Sequence, residues 1–229
     1  MCKIYKIIIL LIFLSFPLSV NAHVQHYEDL NRIEFDIYRN NKHIGTHIFS
    51  FKKSGNKISV KSEINFMIKK FGIALYKYHA EGVEVYEDGE LVKFNSNTNQ
   101  NNKKKYVNIV IKDNEYIIDG SSFKGKVPTE YLIGTWWNHS IVKAKAQISA
   151  VSGRIIKQKV KFLGKEVINF GEKSYNTLHY NFSSTDKKLG KDKKLNTDVW
   201  YDEKTLNWVK ATFDKKGKWE YRLVLVSNF

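Results

Sequence analysis

A period of two in the hydrophobicity of the sequence constrains the fold more than any other feature. Between residues 58 and 68, apolar side chains occupy almost every second position and alternate with lysine, serine, glutamate and asparagine. Successive side chains of a β-strand point to opposite faces of a sheet, so this pattern is typical of strands with one buried face. The same alternation is found at residues 33–37, 44–51, 73–86, 91–96, 106–112, 115–118, 155–163, 166–170, 175–182, 198–201, 206–213 and 219–226. The sequence therefore predicts a mainly β protein.

Turn-forming residues separate these segments. Asparagine, aspartate and glycine, which adopt turns easily, stand at residues 40–42, 87–89 and 113–114. Aspartate begins the tracts 202–205 and 214–217, so the last three strands are predicted to form a meander. The segment at 58–68 is longer than an ordinary strand, and long strands twist or bend. We therefore expect one large, strongly curved antiparallel sheet, an open half-barrel.

One apolar stretch, residues 127–142, does not alternate. It crowds Tyr131, Trp136 and Trp137 together with other large apolar residues. Pro128 stands near its start, where it suits the first turn of a helix. Because these side chains cannot all face one side of a strand, we expect a short helix or an irregular plug that packs against the concave face of the sheet.

The first 22 residues have the composition of a cleavable signal peptide. Lys3 and Lys6 precede an apolar run that is shorter than the roughly 20 residues of a membrane-spanning helix. Val20 and Ala22 then supply the small residues of a cleavage site. An uncleaved membrane anchor is the alternative. We expect residues 1–22 to be removed, which leaves residues 23–229 as a single antiparallel β domain in the periplasm.

Composition narrows the chemistry of this domain. The one cysteine of the chain is Cys2, so the expected mature protein has no disulfide, thiol nucleophile or thiolate metal site. A domain of about 200 residues can bury a sufficient core without disulfides. The formal charge of the chain, +15, favours anionic partners such as a phospholipid surface, although a lysine-rich composition alone also explains it. No motif indicates nucleic-acid binding, and we expect a monomer.

The sequence contains no recognisable catalytic or cofactor motif. A nucleophile elbow, a phosphate loop and a dinucleotide fingerprint are all missing from it. His43 and His47 are four residues apart on a predicted strand, where they can share a face and bind a metal ion with His23 or His26. Spacing alone is a weak signal, however, and we assign no metal, no cofactor and no catalytic residue.

Four carboxylates are the candidate acids and bases: Glu81, Glu84, Asp198 and Asp202. On an extended strand Asp198 and Asp202 would lie about 13 Å apart, which exceeds the separation of about 5–10 Å in glycosidase pairs. Asp202 better suits the start of a turn, since aspartate hydrogen-bonds nearby backbone amides. An enzyme is therefore the weaker hypothesis.

Several tryptophan-containing motifs carry a resemblance to a known family. They are Asp198-Val199-Trp200-Tyr201-Asp202, Trp208-Val209-Lys210, Trp219-Glu220-Tyr221, Trp136-Trp137-Asn138 and Ser152-Gly153. In these motifs the chain resembles an uncharacterised family of proteins that Gram-negative bacteria secrete, which has no assigned activity. The last meander is more distantly similar to that of periplasmic lipoprotein carriers, in which a curved antiparallel sheet wraps around a helix. This second resemblance implies a half-barrel and carries over no functional residue.

Three functions stay open. The preferred hypothesis is a non-catalytic periplasmic binding module or carrier for a hydrophobic or amphipathic ligand, such as a lipid or acyl chain. Its predicted ligand site consists of Tyr131, Trp136, Trp137, His139 and Trp200, although these aromatic residues can instead fill the core. The alternatives are an envelope-associated hydrolase that uses His139 and a carboxylate, and a structural envelope protein that binds a partner through a sheet edge.

Overall fold

Fifteen β-strands form one continuous sheet in the computed structural model, which describes residues 23–190 and 193–229. The predicted signal peptide therefore lies outside the described residues. The strands are β1 (Leu30–Arg39), β2 (Lys42–Ser54), β3 (Lys57–Lys70), β4 (Ile73–Glu87), β5 (Glu90–Gln100), β6 (Lys103–Lys112), β7 (Glu115–Gly120), β8 (Lys124–Pro128), β9 (Leu132–Ile133), β10 (Ala146–Ile148), β11 (Ile155–Phe170), β12 (Lys173–Ser184), β13 (Asn196–Asp202), β14 (Trp208–Asp214) and β15 (Lys218–Asn228). Short 3₁₀ helices occupy His23–Tyr27 and His139–Lys143. No helix within the described ranges has the length and apolar character needed to cross a membrane.

The first and last strands pair in the middle of the sheet. From β1 the sheet runs in chain order to β8 on one side, and from β15 it runs in reverse chain order to β9 on the other. All neighbouring strands are antiparallel except β9 and β10, which are parallel. The edges of the sheet are thus β8 and β9, which are consecutive in the sequence.

This connection shows that the sheet is strongly curved. Fifteen strands about 4.8 Å apart would span about 67 Å if the sheet were flat. Pro128 ends β8 and Leu132 begins β9, so the chain between them bridges at most about 14 Å. The sheet must therefore curl until its two edges approach each other. The edges do not pair, and the predicted open, curved antiparallel sheet is confirmed.

Most strand positions follow the alternating pattern, but the short strands β8, β9 and β10 were not predicted and two predicted strands are one. The sequence predicts two strands at 155–163 and 166–170, whereas the structure has the single long strand β11. A register shift between Phe162 and Gly164 inserts an extra residue into its pairing with β12. Such a bulge interrupts the alternation without ending the strand.

The non-alternating stretch forms an irregular plug, and no α-helix forms there. Pro128 is the last residue of β8, so the prediction that it begins a helix is wrong. Proline has no N–H to donate and is tolerated on an edge strand such as β8. After β9, the chain from Gly134 to Ala144 enters the interior of the curled sheet. We call residues 134–144 the plug.

A candidate ligand-binding cavity

A buried carboxylate fixes the plug to the sheet. The Glu84 side chain on β4 is 2% exposed. It accepts hydrogen bonds from Thr135 Oγ1 and Trp137 Nε1, both at 2.9 Å, and from the Tyr86 hydroxyl at 2.5 Å. Burial raises the pKa of Glu84 above its ordinary value, and the three donors only partly oppose this effect. Glu84 therefore positions the plug and does not face solvent as an acid or base would.

Trp137 belongs to the core. Its side chain is fully buried. The indole makes edge-to-face contacts with Tyr27, Phe51 and Tyr86, with ring centroids between 5.3 and 5.8 Å apart. Such contacts stabilise aromatic clusters beyond the area that they bury. Trp137 thus anchors the plug on the side of β2 and β4.

Further hydrogen bonds hold the rest of the plug. The Tyr201 hydroxyl donates to the Trp136 carbonyl oxygen at 3.0 Å, and the His139 amide donates to the Tyr27 hydroxyl oxygen at 3.0 Å. At the end of the plug, Gln158 Nε2 donates to the carbonyl oxygens of Ile141 and Ala144. The plug is therefore held by hydrogen bonds along its length. It does not fill the whole interior of the curled sheet.

One remaining space is a cavity of about 250 Å³ between the plug and the inner face of the sheet. Its wall includes His47, Tyr78, Phe94, Trp136, Trp208 and Tyr221. Water occupies about 30 Å³ per molecule in the liquid, so the cavity equals about eight such volumes. Tyr78 and Leu195 belong to the part of the wall that is only partly buried, and so indicate the side on which the cavity opens.

Three nitrogen atoms of the wall have no hydrogen-bond partner among the described residues. They are Nδ1 of His47, Nε1 of Trp136 and Nε1 of Trp208. Trp208 contacts both other rings, with centroid separations of 5.7 Å to Trp136 and 5.9 Å to His47. An indole N–H can only donate, and a buried donor without an acceptor costs about 1–3 kcal/mol. The wall is therefore built from apolar surface and from rings that carry buried, unmatched nitrogen atoms.

Burial keeps His47 uncharged. The side chain is 4% exposed, and its Nε2 shares a 2.9 Å hydrogen bond with Ser62 Oγ. Burial lowers the pKa of His47 to about 3, so the imidazole is neutral at physiological pH. The cavity wall contains no lysine or arginine. An uncharged acceptor, such as a carbonyl or ester oxygen, would suit this wall better than a carboxylate.

The structure places only one of the five predicted site residues in the cavity wall, which is Trp136. Trp137 is a core residue, and Tyr131 packs against the core beside β9. The His139 ring packs edge-on against Tyr201 and Tyr180, with centroids 4.8 and 5.8 Å away. The aromatic residues therefore serve both predicted purposes, core packing and cavity lining, and adjacent tryptophans are divided between them.

Trp200 is only 7% exposed and is buried among side chains on the face of the sheet opposite Tyr201. It is paired with His179 across β12 and β13, and the two rings stack with centroids 4.1 Å apart. His179 lies between two carboxylates, with Nδ1 2.9 Å from Glu166 and Nε2 3.2 Å from Asp198. Lys210 covers the Trp200 ring at 4.9 Å. Since Tyr201 points inward, the neighbouring Trp200 is directed away from the cavity.

The two histidines on β2 do not share a face. His47 points inward, whereas His43 is exposed and lies 3.2 Å from Asp36 on the outside. Ile44 is an extra residue at this point, because Ile37 pairs with Gly45 and the next residue of β1 pairs with His43. This bulge reverses the alternation, so an even spacing no longer means a common face.

The other candidate carboxylates have local partners. Asp202 Oδ1 accepts hydrogen bonds from the amides of Lys204 and Thr205, which confirms its predicted place at a turn. Glu81 lies on the outer surface with His79 and Glu63, and one ligand-type atom from each residue lies within 4.8 Å of the others. Exposed groups of this kind are common without a metal ion, so we assign no site there.

Sequence analysis did not identify His47, Trp208 and Tyr221 as wall residues. Each occupies an inward position of an alternating strand, where an aromatic residue is indistinguishable from ordinary core. The sequence offered one signal for these residues, which is that three strands distant from one another in sequence each carry a bulky aromatic side chain at an inward position. The position of the plug then decides which of them contact an open space.

Comparisons with known proteins give a family and a solved structure with a similar fold. A family model described as a domain of unknown function, DUF6134, matches residues 35–224. The chain is similar to a solved beta-barrel-like protein of the DUF1849 family from Brucella abortus, with a TM-score of 0.61 and 8% identity over 87% of this chain and 98% of that one. The comparison also gives a solved DUF1329 family protein from Desulfovibrio piger, with a TM-score of 0.27 and 10% identity over 90% of this chain and 88% of that one. No curated protein matches the sequence.

Proposed function

The chain belongs to the DUF6134 family, a domain of unknown function, and we propose that it is a non-catalytic carrier for an amphipathic ligand with an acyl chain. The observation that carries this proposal is the cavity of about 250 Å³ beside Trp136. The proposal includes export to the periplasm, as the sequence of residues 1–22 predicts.

The size of the cavity limits the part of the ligand that is buried. Eight water-sized volumes correspond to an acyl segment of about six to eight carbons, because a methylene group and a water molecule have similar sizes. Burying such a segment contributes roughly 5–6 kcal/mol before the costs of association. Because a Kd of 1 μM corresponds to about 8 kcal/mol, this segment alone does not give micromolar affinity, and contacts with the polar wall atoms and the rest of the ligand must supply the remainder.

The unmatched nitrogens favour a particular ligand chemistry. Nε1 of Trp136 and Nε1 of Trp208 are buried donors on contacting rings, and a ligand oxygen acceptor that reached either of them would offset the cost of its unmatched N–H. Because His47 is neutral and no basic side chain lines the wall, we infer that this acceptor is a carbonyl or ester oxygen. A charged headgroup would remain outside, near Tyr78 and Leu195.

The proposal is tested by filling the cavity. Ala80 is a wall residue on β4, and Ala74 is exposed on the same strand. Ala80→Leu is expected to abolish saturable binding of a fluorescent medium-chain fatty-acid ester, whereas Ala74→Leu is expected to bind it like the wild type. Thermal melting of each variant shows whether the fold is intact. A wild-type protein that binds no acyl probe saturably, in ester or free-acid form, contradicts the proposal.

A further inference from the structure

The tip of the β3–β4 hairpin exposes three large apolar side chains. Phe71 is 92% exposed, Ile73 is 67% exposed and Leu75 is 54% exposed. Tyr78 on β4 pairs with Gln100, the last residue of β5, so the part of β4 from Ile73 to Lys77 extends beyond its neighbour. The tip therefore projects from the sheet and has no covering element on the β5 side.

The turn at this tip departs from the other tight turns of the chain. Two-residue turns in which both residues have positive φ also occur at residues 40–41, 88–89, 101–102 and 113–114, and each begins with asparagine or aspartate. At this tip the first position is Phe71, with φ of 50°, followed by Gly72 with φ of 80°. A bulky residue is unfavourable in this conformation, and solvent exposure adds no packing to compensate. Folding alone does not account for a phenylalanine there.

Basic side chains surround the tip. Lys69, Lys70 and Lys77 are exposed on the same hairpin, and no aspartate or glutamate occurs between Glu63 and Glu81. The ammonium group of Lys70 lies 5.5 Å from the centre of the Phe71 ring. Apolar side chains framed by lysines match the interface of an anionic bilayer, where the apolar groups insert and the lysines contact headgroups.

The same end of the sheet is basic beyond this hairpin. In an antiparallel sheet alternate connections lie at one end, which places the connections β1–β2, β3–β4, β5–β6, β7–β8, β10–β11, β12–β13 and β14–β15 together. We call this end the basic rim. Its connections and the three strand residues on either side of each carry Arg39, Lys42, Lys69, Lys70, Lys103, Lys104, Lys105, Lys124, Lys126, Arg154, Lys157, Lys187, Lys188, Lys193, Lys194, Lys215, Lys216 and Lys218, against the acids Asp119, Asp186, Asp198, Asp214 and Glu220 among the described residues. At the opposite end, acids such as Glu87, Asp88 and Glu203 stand in the turns.

Aromatic residues also gather at the basic rim. Phe66 stacks on Tyr78 with ring centroids 4.7 Å apart and contacts Trp219 edge-on at 5.2 Å. Trp219 in turn stacks on Phe213 at 5.7 Å. Tyrosine and tryptophan are favoured at the boundary between water and lipid, because their rings are apolar and their polar atoms can be hydrated. Tyr78 belongs both to this group and to the cavity wall.

We propose that the basic rim docks on an anionic phospholipid bilayer and that Phe71 and Ile73 at the β3–β4 tip insert into its interface. Charge complementarity selects the bilayer as the partner, because lysines flank the apolar tip and acids are scarce along the rim. This inference stands whether or not the cavity binds a ligand. If both hold, a lipid would reach the cavity from the docked side, past Tyr78.

Vesicle binding tests the docking. Purified protein is expected to cosediment with vesicles of equal parts phosphatidylglycerol and phosphatidylcholine, and to bind pure phosphatidylcholine at least about tenfold more weakly. The double variant Phe71→Ser/Ile73→Ser is expected to reduce binding to the anionic vesicles by about tenfold or more. Lys69→Gln/Lys70→Gln is expected to lower the affinity for anionic vesicles by about fivefold for each lysine. The affinity of this variant should also depend less on salt concentration than that of the wild type. Thermal melting should match the wild type, since these side chains are exposed.

A matched control separates insertion from general surface stickiness. Val167 on β11 is 55% exposed, and Val167→Ser is expected to leave vesicle binding unchanged. In protein that begins at His23, which has no other cysteine, an environment-sensitive dye on Phe71→Cys should shift its emission to the blue on anionic vesicles, whereas the dye on Val167→Cys should not. Equal binding to neutral vesicles, an unshifted dye at position 71, or equal losses in the Phe71/Ile73 and Val167 variants would overturn the proposal.

Discussion

The indole Nε1 of Trp137 donates a 2.9 Å hydrogen bond to the Glu84 carboxylate, which joins the plug to strand β4 across 53 residues of sequence. The carboxylate also accepts from Thr135 and Tyr86, so all three donors depend on one buried group. This arrangement makes the position of the plug, and hence the shape of the cavity, dependent on Glu84.

Replacing Glu84 is expected to change the pH dependence of stability. Because burial raises the folded-state pKa of Glu84, its contribution to stability is full below the unfolded value of about 4.3 and is lost as pH rises through the folded-state pKa. In Glu84→Gln this loss disappears. The free energy of unfolding, measured with urea between pH 4 and 8, should therefore vary less with pH in Glu84→Gln than in the wild type. The control Glu81→Gln, at an exposed position, should vary as the wild type does. Parallel profiles for wild type and Glu84→Gln would refute this account.

His47 is expected to make stability depend on pH in the opposite direction to Glu84. Its pKa is lowered from about 6.5 in the unfolded chain to about 3, so its contribution is full above about pH 6.5 and is lost as pH falls towards 3. His47→Phe removes the titrating group and keeps a ring beside Phe49. Acid unfolding monitored by tryptophan fluorescence should shift to lower pH in this variant. His43→Phe, on the exposed face, serves as the control and should retain the wild-type midpoint.

The adjacent tryptophans of the plug are expected to differ in their effects. Trp137→Ala removes a fully buried side chain and should lower the free energy of unfolding by about 3–5 kcal/mol. Trp136→Phe keeps a ring but removes the unmatched N–H. It should lower the affinity for an acyl ester probe about tenfold and change the melting temperature little. Calorimetry and a fluorescence titration distinguish the two. If Trp136→Phe bound the ester as tightly as the wild type, the assigned acceptor contact would be wrong.

Gly45 is expected to tolerate no side chain. A Cβ atom there would lie 2.0 Å from the Asn65 carbonyl oxygen and 2.5 Å from Phe66 Cα, both backbone atoms of β3. Gly45→Ala should lower the free energy of unfolding by about 3 kcal/mol or more, because the strands must separate locally. Gly190→Ala faces open space and should change it by less than about 0.5 kcal/mol. Chemical denaturation of both variants checks the comparison.

Export is expected to remove residues 1–22. Val20 and Ala22 precede the proposed cleavage point, so the protein in the envelope fraction should begin at His23. Intact-mass measurement of protein purified from its own host decides the matter. Protein that retains Met1 in that fraction would exclude processing at this position.

Local patterning predicted most strands, since each buries one face and the period of two identifies such strands directly. It failed where a single residue alters the register. Ile44 and Leu163 each add one residue to a strand, and the pattern then changes face or looks interrupted. A bulge depends on the partner strand, so the sequence of one strand does not reveal it.

The cavity depended on contacts that are distant in the sequence. Trp136 was predicted from its place in a non-alternating stretch, but its wall partners lie on strands far from it in the sequence. Trp136 and Trp137 are neighbours of the same type, yet only contacts with Glu84, Tyr27 and Tyr201 decide which one faces the open space. Trp200 does not line this cavity, which the sequence could not show because its strand alternates and the pattern does not say which face is inner.

The pairing of β1 with β15 forms a seam in the middle of the sheet, where strands from the two ends of the strand order meet. Leu30 and Asn228 are paired across it, so the start of β1 and the end of β15 are neighbours. If they were linked and the chain opened between Pro128 and Leu132, every strand would follow its spatial neighbour from β9 through β15 and β1 to β8. In the natural order the central pair instead joins strands that are separated by almost the whole chain. Each flank can assemble from local hairpins, but the two can unite only when the last strand is available, which favours slow closure of the sheet.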